Sequence, residues 1–364
     1  MKKVIILGGS FDPIHKGHIL ILKEAMKELK IDEGWLMPAK NPRWKKGYTS
    51  INYRLKLLSK VIKEETNIKL CKEEIKSKET NYTYKTILKL KEKYPNLDFY
   101  FLIGYDQLNL LNDWYEIDKL CKLVTFVVAK RPNYELNQEN ITKYNCTLLN
   151  YSGPDISSSD FKDTLDLSLI PDYLHELIIS TGDYYKRKLR EMMNYHRYCH
   201  SLQVAKVAKD IAIANNYNVN KAFLAALLHD CAKDISKDIE LKIMNDKFKK
   251  YMNEKPLVYH QFVGSIIVKD VFRINDEEII DAIKWHTTGN ENMSTLAKIV
   301  YAADKIEPTR GYDSKYMIDA CLEDINSGFE LVLKENYIFL VKHKGMKIDN
   351  TPLTLKCLTY YKVV

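Results

Sequence analysis

The chain has 364 residues, more than one hydrophobic core normally serves, so its length predicts two domains. Its 56 Lys and Arg against 48 Asp and Glu give a net charge of +8. This charge is spread along the chain, which suits anionic small molecules and argues against a nucleic-acid partner. Seven cysteines without a Cys-x-x-Cys pair indicate reduced thiols, and the absence of a long apolar run argues against membrane association. We therefore expect a soluble, cytoplasmic protein.

The first half of the chain alternates short apolar runs with helical patterns. The predicted strands are 4–7, 34–37, 68–71, 99–103, 124–129 and 147–149, and the predicted helices between them are about 17–30, 51–64, 82–94 and 106–121. This alternation predicts an α/β domain with a parallel sheet, helices on both faces and ligands at the carboxyl ends of the strands.

The stretch from residue 4 to residue 20 carries the strongest local signal. An apolar strand ends at Gly8 and Gly9, where a ligand can approach the backbone closely. A helical pattern follows, and the free N–H groups at a helix start attract phosphate. His15 and His18 stand at that start and can reach the same anion. A glycine pair after a strand is often only a turn, so the prediction of a phosphate site rests on the glycines, the helix start and the two histidines together.

The order Gly-Gly-Ser-Phe-Asp-Pro followed by His-x-Gly-His resembles the nucleotidylyltransferase superfamily, and most closely its bacterial nicotinate-nucleotide adenylyltransferases (NadD type). The resemblance implies a Rossmann-like fold and transfer of AMP from ATP to nicotinate mononucleotide, with Mg²⁺ bridging the phosphates of ATP. His15 and His18 would be catalytic. The nucleotide would contact Gly8, Gly9, Ser10 and Phe11.

Further segments resemble the ligand-binding segments of this family. The resemblance implies contacts with the phosphates, the adenylate and the mononucleotide from Lys45, Lys46, Arg54, Thr83, Tyr84, Gly104, Asp106, Trp114, Ser157, Ser158 and Ser159. Trp114 would stack on the pyridine ring. Lys162, implied to be catalytic, stands where the family usually has arginine, which keeps the positive charge and loses the bidentate fork.

The periodicity becomes helical near residue 185. The predicted helices are 201–215, 219–231, 236–246, 260–273, 276–286, 294–306 and 315–343, which indicates an all-α second domain. The basic run 184–190 contains no Pro or Gly, so we expect the domains to join through a helix. We place the domains at residues 1–186 and 187–364.

Histidines and carboxylates recur at the helix ends of this second half. His229 and Asp230 end a helix rich in alanine and leucine, and Asp304 lies in an apolar helix, where an unpaired carboxylate would be costly. Imidazoles and carboxylates from separate helices form the ligand set of a divalent transition metal. A lone histidine is more often an ordinary surface or core residue, so the doublet and Asp304 carry the prediction.

These residues resemble the HD phosphohydrolase superfamily, and most closely its YqeK-type branch. The resemblance implies a dinuclear iron or manganese site that hydrolyses diadenosine tetraphosphate to ADP. The implied metal ligands are His200, His229, Asp230, His260, His286 and Asp304. Asp230 would bridge both metals and be essential for catalysis, and contacts around the ligands or with phosphate would come from Lys233, Thr287, Thr288, Glu307 and Arg310. His196 matches no position of the family.

Alternatives remain open for the second half and for the substrates. The HD domain is either a hydrolase for diadenosine tetraphosphate, a hydrolase for another phosphate compound or a regulatory module that binds nucleotide. The first domain prefers either nicotinate mononucleotide or its amide. The oligomeric state is open, with a homo-oligomer among the possibilities.

Overall fold

The computed structural model describes residues 1–40, 49–76, 82–131, 134–152, 154 and 156–364. It divides into two compact units, one formed by Met1–Lys162 with Asp166–His175 and the other by Asp163–Leu165 with Glu176–Val364. The boundary expected after residue 186 lies inside a helix whose residues all belong to the second unit.

A six-stranded sheet forms the centre of the first unit. Its strands are β1 Lys2–Gly9, β2 Glu33–Pro38, β3 Ile68–Leu70, β4 Leu97–Gly104, β5 Thr125–Lys130 and β6 Thr147–Ser152. All neighbouring strands are parallel, in the order β3-β2-β1-β4-β5-β6. The six predicted strands and the Rossmann-like fold are confirmed.

The strand order fixes where a ligand can bind. The chain reverses direction across the sheet between β1 and β4, and such a switch point opens a crevice at the carboxyl ends of the two strands. Val4, Ile5 and Ile6 of β1 are completely buried, so this strand is held rigidly from both faces. The segments that follow β1 and β4 therefore start from fixed positions.

The helices of the first unit connect these strands. They are α1 Lys16–Glu28, α2 Ile51–Glu64, α3 Glu73–Lys76, α4 Thr83–Lys93, α5 Tyr105–Leu108, α6 Ile117–Leu120, α7 Gln138–Lys143 and α8 Ser158–Thr164. The single helix predicted at 106–121 is wrong, because α5 and α6 are separate turns. Glu116, directly before α6, has a left-handed backbone with φ 54°, through which an α-helix cannot continue.

The second unit is helical throughout the described residues. Its helices are α9 His175–Thr181, α10 Asp183–Met192, α11 Tyr195–Ala214, α12 Val219–Leu228, α13 Lys237–Lys247, α14 Tyr259–Asp270, α15 Glu277–Lys284, α16 Thr295–Ile306, α17 Lys315–Glu323, α18 Ile325–Ile338 and α19 Pro352–Tyr360. The continuous helix predicted at 315–343 is wrong, because Asp324 has an extended backbone and its carboxylate accepts the N–H of Ser327, which starts α18.

Polar side chains cap the starts of several helices in this unit. Asn194 caps α11 by accepting the N–H of Arg197, and Ser294 caps α16 by accepting the N–H of Ala297. In the described part of the chain we find no helix with both the length and the apolar character needed to cross a bilayer.

Candidate active sites

His15 and His18 lie together at the start of α1. Their ring centres are 3.6 Å apart, and Nδ1 of His15 is buried without a hydrogen-bond partner among the described residues. Burial is the main cause that lowers the pKa of His15 to about 4 and holds the pKa of His18 well below its ordinary value, and the charge of Arg131 acts in the same direction on both. Both rings are therefore neutral near pH 7, so each can donate an N–H to a phosphate oxygen.

Two glycines end β1 where the chain turns toward these histidines. A Cβ at Gly8 would lie 3.3 Å from the ring of Phe101, and a Cβ at Gly9 would lie 3.2 Å from the ring of Phe11. Phe11 has a left-handed backbone with φ 47° and contacts the ring of His18 edge to face at 5.1 Å. Larger residues at either glycine would therefore disturb the ring packing beneath the site.

The carboxyl end of β4 carries an ion pair. Asp106 Oδ2 lies 2.8 Å from Nη1 of Arg131, which directly follows β5. A Cβ at Gly104 would lie 2.6 Å from Oδ1 of Asp106 and 3.6 Å from Cδ of Arg131, so the ion pair lies close over this glycine. Gly104 and Asp106 are among the residues predicted from the sequence, whereas Arg131, which lies just beyond a predicted strand, is not.

The serine run opens α8. Ser157 and Asp160 cap the helix reciprocally, since Oδ2 of Asp160 accepts the N–H of Ser157 at 2.7 Å and Oγ of Ser157 accepts the N–H of Asp160 at 3.1 Å. The hydroxyl of Ser158 donates to the carbonyl of Pro13 at 2.8 Å, which ties α8 to the loop before α1. Ser159 is exposed. In this geometry Ser157 caps its own helix and Ser158 holds the loop in place.

Lys162 follows on α8, and its Nζ lies 3.7 Å from Oδ2 of the fully buried Asp12. Asp12 also accepts hydrogen bonds from the backbone and hydroxyl of Thr49. Lys162 is thus close to the histidine loop, with its charge partly compensated by Asp12. Lys45 and Lys46 lie outside the described residues.

Arg54 is completely buried at the start of α2. Its guanidinium donates to the carbonyls of Ser10 at 2.6 Å, Ala39 at 2.9 Å, Lys40 at 3.1 Å and Thr49 at 3.4 Å. Arg54 therefore joins the segments that follow β1 and β2 to α2. Its contact with a ligand stays a prediction.

Trp114 lies on the same side of the sheet as Phe101, whose ring packs next to Gly8. It contacts Phe101 and Phe126 edge to face, each at 6.0 Å between ring centres. Thr83 and Tyr84 open α4, and the ring of Tyr84 lies 6.3 Å from the tyrosine that follows Trp114. The residues predicted to hold the mononucleotide thus lie near one another.

The structure brings the six predicted metal ligands of the second unit together; they are His200, His229, Asp230, His260, His286 and Asp304. Nδ1 of three of the histidines contacts the backbone carbonyl three residues earlier, at 2.7 Å in His229, 2.9 Å in His260 and 2.7 Å in His286. Because a carbonyl only accepts, the proton is on Nδ1 and the lone pair of Nε2 points to the centre.

His200 connects two carboxylates at the same centre. Its Nδ1 lies 3.0 Å from Oε1 of Glu307, and its Nε2 lies 3.1 Å from Oδ1 of Asp304. Nε2 of His229 lies 3.6 Å from the same Asp304 oxygen and 3.8 Å from Oδ2 of Asp230. His229 therefore stands between the two aspartates.

The donor set fits a metal. Nε2 atoms of His260 and His286 face each other at 3.2 Å, and Oδ1 of Asp230 lies 3.4 Å and 3.3 Å from them. Three lone pairs thus converge without a proton between them. Nε2 of His229 and Oδ1 of Asp230 are buried without a well-directed hydrogen bond among the described residues. A divalent cation would satisfy all of these atoms.

Three cationic side chains surround the carboxylates. Nζ of Lys233 lies 3.5 Å from Asp230, Nζ of Lys305 lies 2.7 Å from Asp304, and Nη2 of Arg310 lies 2.6 Å from Asp304. Burial raises the pKa of Asp304, but the charge of Lys305 and further contacts outweigh it and hold this pKa well below its ordinary value. Lys305, which directly follows Asp304, is not among the residues predicted from the sequence.

Thr287 and Thr288 follow His286 in a turn held by a buried glutamine. Oε1 of Gln261 lies 3.2 Å from each of the two threonine backbone N–H donors. This turn places the hydroxyl of Thr287 3.0 Å from Nε2 of His286 and 3.1 Å from Nε2 of His260. Gln261 was missed, because a glutamine next to a histidine carries no signal in a single sequence.

Two family models match the chain. The cytidylyltransferase-like model matches residues 6–164, and the HD domain model matches residues 197–309. The first range runs from within β1 to the end of α8, and the second contains all six predicted metal ligands. HD domains are metal-dependent hydrolases, in agreement with the donor set.

Curated relatives match most of the chain. A Mycoplasma genitalium protein is 36% identical over 310 residues, which is 85% of this chain and 88% of the relative, and is named a probable nicotinate-nucleotide adenylyltransferase/Ap4A hydrolase. A Mycoplasma pneumoniae protein of the same name is 29% identical over 91% of this chain and 98% of its own length. A probable nicotinate-nucleotide adenylyltransferase from Bacillus mycoides is 45% identical over 38% of this chain and 74% of its own length. The chain therefore belongs to the family of nicotinate-nucleotide adenylyltransferase/Ap4A hydrolase proteins, which join a cytidylyltransferase-like domain to an HD domain.

Proposed function

We propose that residues 1–186 transfer AMP from ATP to nicotinate mononucleotide, giving deamido-NAD and pyrophosphate. The observation that carries this proposal is the neutral pair His15 and His18 at the start of α1, beside the switch point of the sheet. The names of the full-length relatives support the same activity.

The chain contributes positioning and electrostatics to this transfer. The phosphate of the mononucleotide attacks the α-phosphorus of ATP, and pyrophosphate leaves, so the site must align the reactants and stabilise charge on the leaving group. His15 and His18 donate to phosphate oxygens, Lys162 adds positive charge, and Mg²⁺ enters with ATP. Trp114 stacks on the pyridine ring, a contact worth roughly 1 kcal/mol beyond area burial.

Competition between nicotinate mononucleotide and its amide tests this assignment. With both substrates present at equal concentration, we expect the acid to be adenylated faster than the amide. Chromatography separates and quantifies the two dinucleotide products. A preference for the amide would reassign the substrate and keep the reaction type. Absence of either dinucleotide would contradict the proposed transfer.

We propose further that residues 187–364 hydrolyse diadenosine tetraphosphate. Water adds across the central phosphoanhydride, one P–O bond breaks, and two ADP molecules leave. The observation that carries this proposal is the convergence of four imidazoles and two aspartates, together with the groups His200, His229, Asp304 and His229, Asp230, His286 whose ligand atoms lie within 4.8 Å of one another.

The six residues would hold two iron or manganese ions. When bound, the metals activate water and neutralise phosphate charge. Lys233, Lys305 and Arg310 keep positive charge beside the two aspartates, so a polyanion is attracted to this position. Thr287 can donate its hydroxyl to a phosphate oxygen.

The experiment for this centre supplies the purified full-length protein anaerobically with Fe²⁺ or with Mn²⁺ and then adds diadenosine tetraphosphate. We expect ADP as the sole product by ion-exchange chromatography, and no ADP from Asp230→Ala. Binding without product would contradict hydrolysis and identify a regulatory nucleotide site. Turnover of other phosphate esters alone would reassign the substrate.

The chemistry of the side chains also supports a reducing compartment. All seven cysteines are free thiols, three of them are only partly buried, and we propose that the protein works in the cytoplasm.

A further inference from the structure

Arg131 lies near three parts of the adenylyltransferase site, which are the end of β4, the end of β5 and the start of α1. It follows β5 and pairs with Asp106 at the end of β4, and the pair covers Gly104. Its positive charge also acts on His15 and His18 at the start of α1. Arg131 is therefore close to the switch-point crevice.

The guanidinium keeps donors available. A guanidinium has five N–H donors, and Asp106 contacts it through one terminal nitrogen. No other hydrogen bond of Arg131 is formed with residues of the described ranges, and its side chain is 44% exposed. The ring of Tyr134 lies 5.7 Å from its central carbon and supports one face. The side chain is thus held from two directions with its remaining edge accessible.

Among the described residues, the other cationic and imidazole groups of the site do not offer phosphate a charged bidentate donor. His15 and His18 are neutral near pH 7, so they offer hydrogen bonds without charge. Lys162 lies 3.7 Å from Asp12, which compensates part of its charge, and a lysine lacks the bidentate fork. Pyrophosphate leaves with several negative charges, and a planar guanidinium is the side chain best suited to bind two of its oxygens.

We infer that Arg131 binds the β- and γ-phosphates of ATP and the departing pyrophosphate, with Asp106 and Tyr134 holding the guanidinium in place. This inference rests on the proposed adenylyl transfer and adds a binding residue to that site. Arg54, another arginine near the crevice, is buried and donates to four carbonyls, so it cannot take this part.

The test measures ligand affinity in the full-length protein by calorimetry, with inorganic pyrophosphate, ATP and nicotinate mononucleotide as separate probes. Arg131→Ala should raise the Kd of pyrophosphate and of ATP about tenfold and leave the Kd of the mononucleotide unchanged. The Kd values of Arg131→Lys for pyrophosphate and ATP should fall between those of Arg131→Ala and the unchanged protein, because lysine keeps the charge and loses the bidentate fork. The matched control is Lys130→Ala, which removes the neighbouring exposed cation and should bind all three probes as the unchanged protein does.

Each result decides the inference. Equal loss of affinity in Lys130→Ala and Arg131→Ala would overturn it in favour of general electrostatic attraction. Unchanged pyrophosphate binding in Arg131→Ala, or weaker binding of the mononucleotide alone, would also overturn it. Adenylyl transfer by the unchanged protein is measured alongside, so a failure of the proposed function is seen separately as the absence of dinucleotide.

Discussion

His200 and His196 show how neighbouring histidines on one helix differ. His200 lies against Asp304 and Glu307 at the second centre, whereas His196, one turn earlier on α11, is exposed. We expect His200→Ala to lose bound metal and His196→Ala to keep it, with metal content measured by elemental analysis after dialysis. Glu307→Gln should weaken metal binding roughly 10- to 100-fold, because the carboxylate of Glu307 orients the ring of His200. Equal metal loss in both histidine variants would contradict this assignment.

The low pKa of His15 links the stability of the first unit to pH. The folded pKa of about 4 lies below the ordinary value of 6.5, so between these values the unfolded chain binds more protons. The contribution of neutral His15 to stability should therefore be fully present above pH 6.5 and be lost as the pH decreases from 6.5 toward 4. We expect acidification from pH 7 to pH 5 to lower the unfolding temperature.

Thermal unfolding of His15→Gln at pH 7 and at pH 5 checks this prediction. The unfolding transition of the first unit is identified as the one whose temperature ATP shifts. The variant should lose part of the pH dependence, whereas His343→Gln, at an exposed site, should keep it. A pH dependence in His15→Gln equal to that of the unchanged protein would contradict the prediction.

At the scale of elements, Arg54 joins α2 to the segments after β1 and β2. Arg54→Met would leave several buried carbonyls without donors, so we expect the free energy of unfolding to fall by roughly 3 kcal/mol. Lys56→Met, on an exposed position of the same helix, should change it by less than about 0.5 kcal/mol. Urea denaturation measures both, and equal stability of the two variants would show that Arg54 does not hold these segments.

Elements with strong periodicity could be predicted from the sequence. β1 has a fully apolar run ended by two glycines, and the helices around His229 and Asp304 have long apolar faces, so their type and position are confirmed. The breaks at Glu116 and Asp324 could not be predicted by periodicity, because the apolar pattern continues through both while the backbone turns.

The candidate sites could be predicted where a local motif carries them. His15 and His18 are three residues apart in the chain, and the six HD residues follow a recognisable order. Arg131 could not be found in this way, since its position depends on β5 lying beside β4 in the sheet. Gln261 likewise has a role set by its contacts with Thr287 and Thr288, which are distant in the chain.

At the scale of the whole molecule, the two sites share no residue, so their activities should be separable by substitution. His18→Ala should abolish dinucleotide synthesis and spare hydrolysis, and Asp230→Ala should do the reverse. Both reactions are assayed on each full-length variant, with His196→Ala as control. Loss of both activities from one substitution would contradict two independent sites.

The position of β1 has a consequence for how the chain is synthesised. β1 is made first but pairs on one side with β4, where Leu7 faces Leu102. Until the ribosome has delivered the residues of β4, an almost entirely apolar strand keeps one edge unpaired, and such edges recruit other chains. The first unit must therefore fold late, through long-range pairing, which is slow. A nascent chain that stops before Gly104 is an aggregation hazard and cannot yet assemble the switch-point crevice.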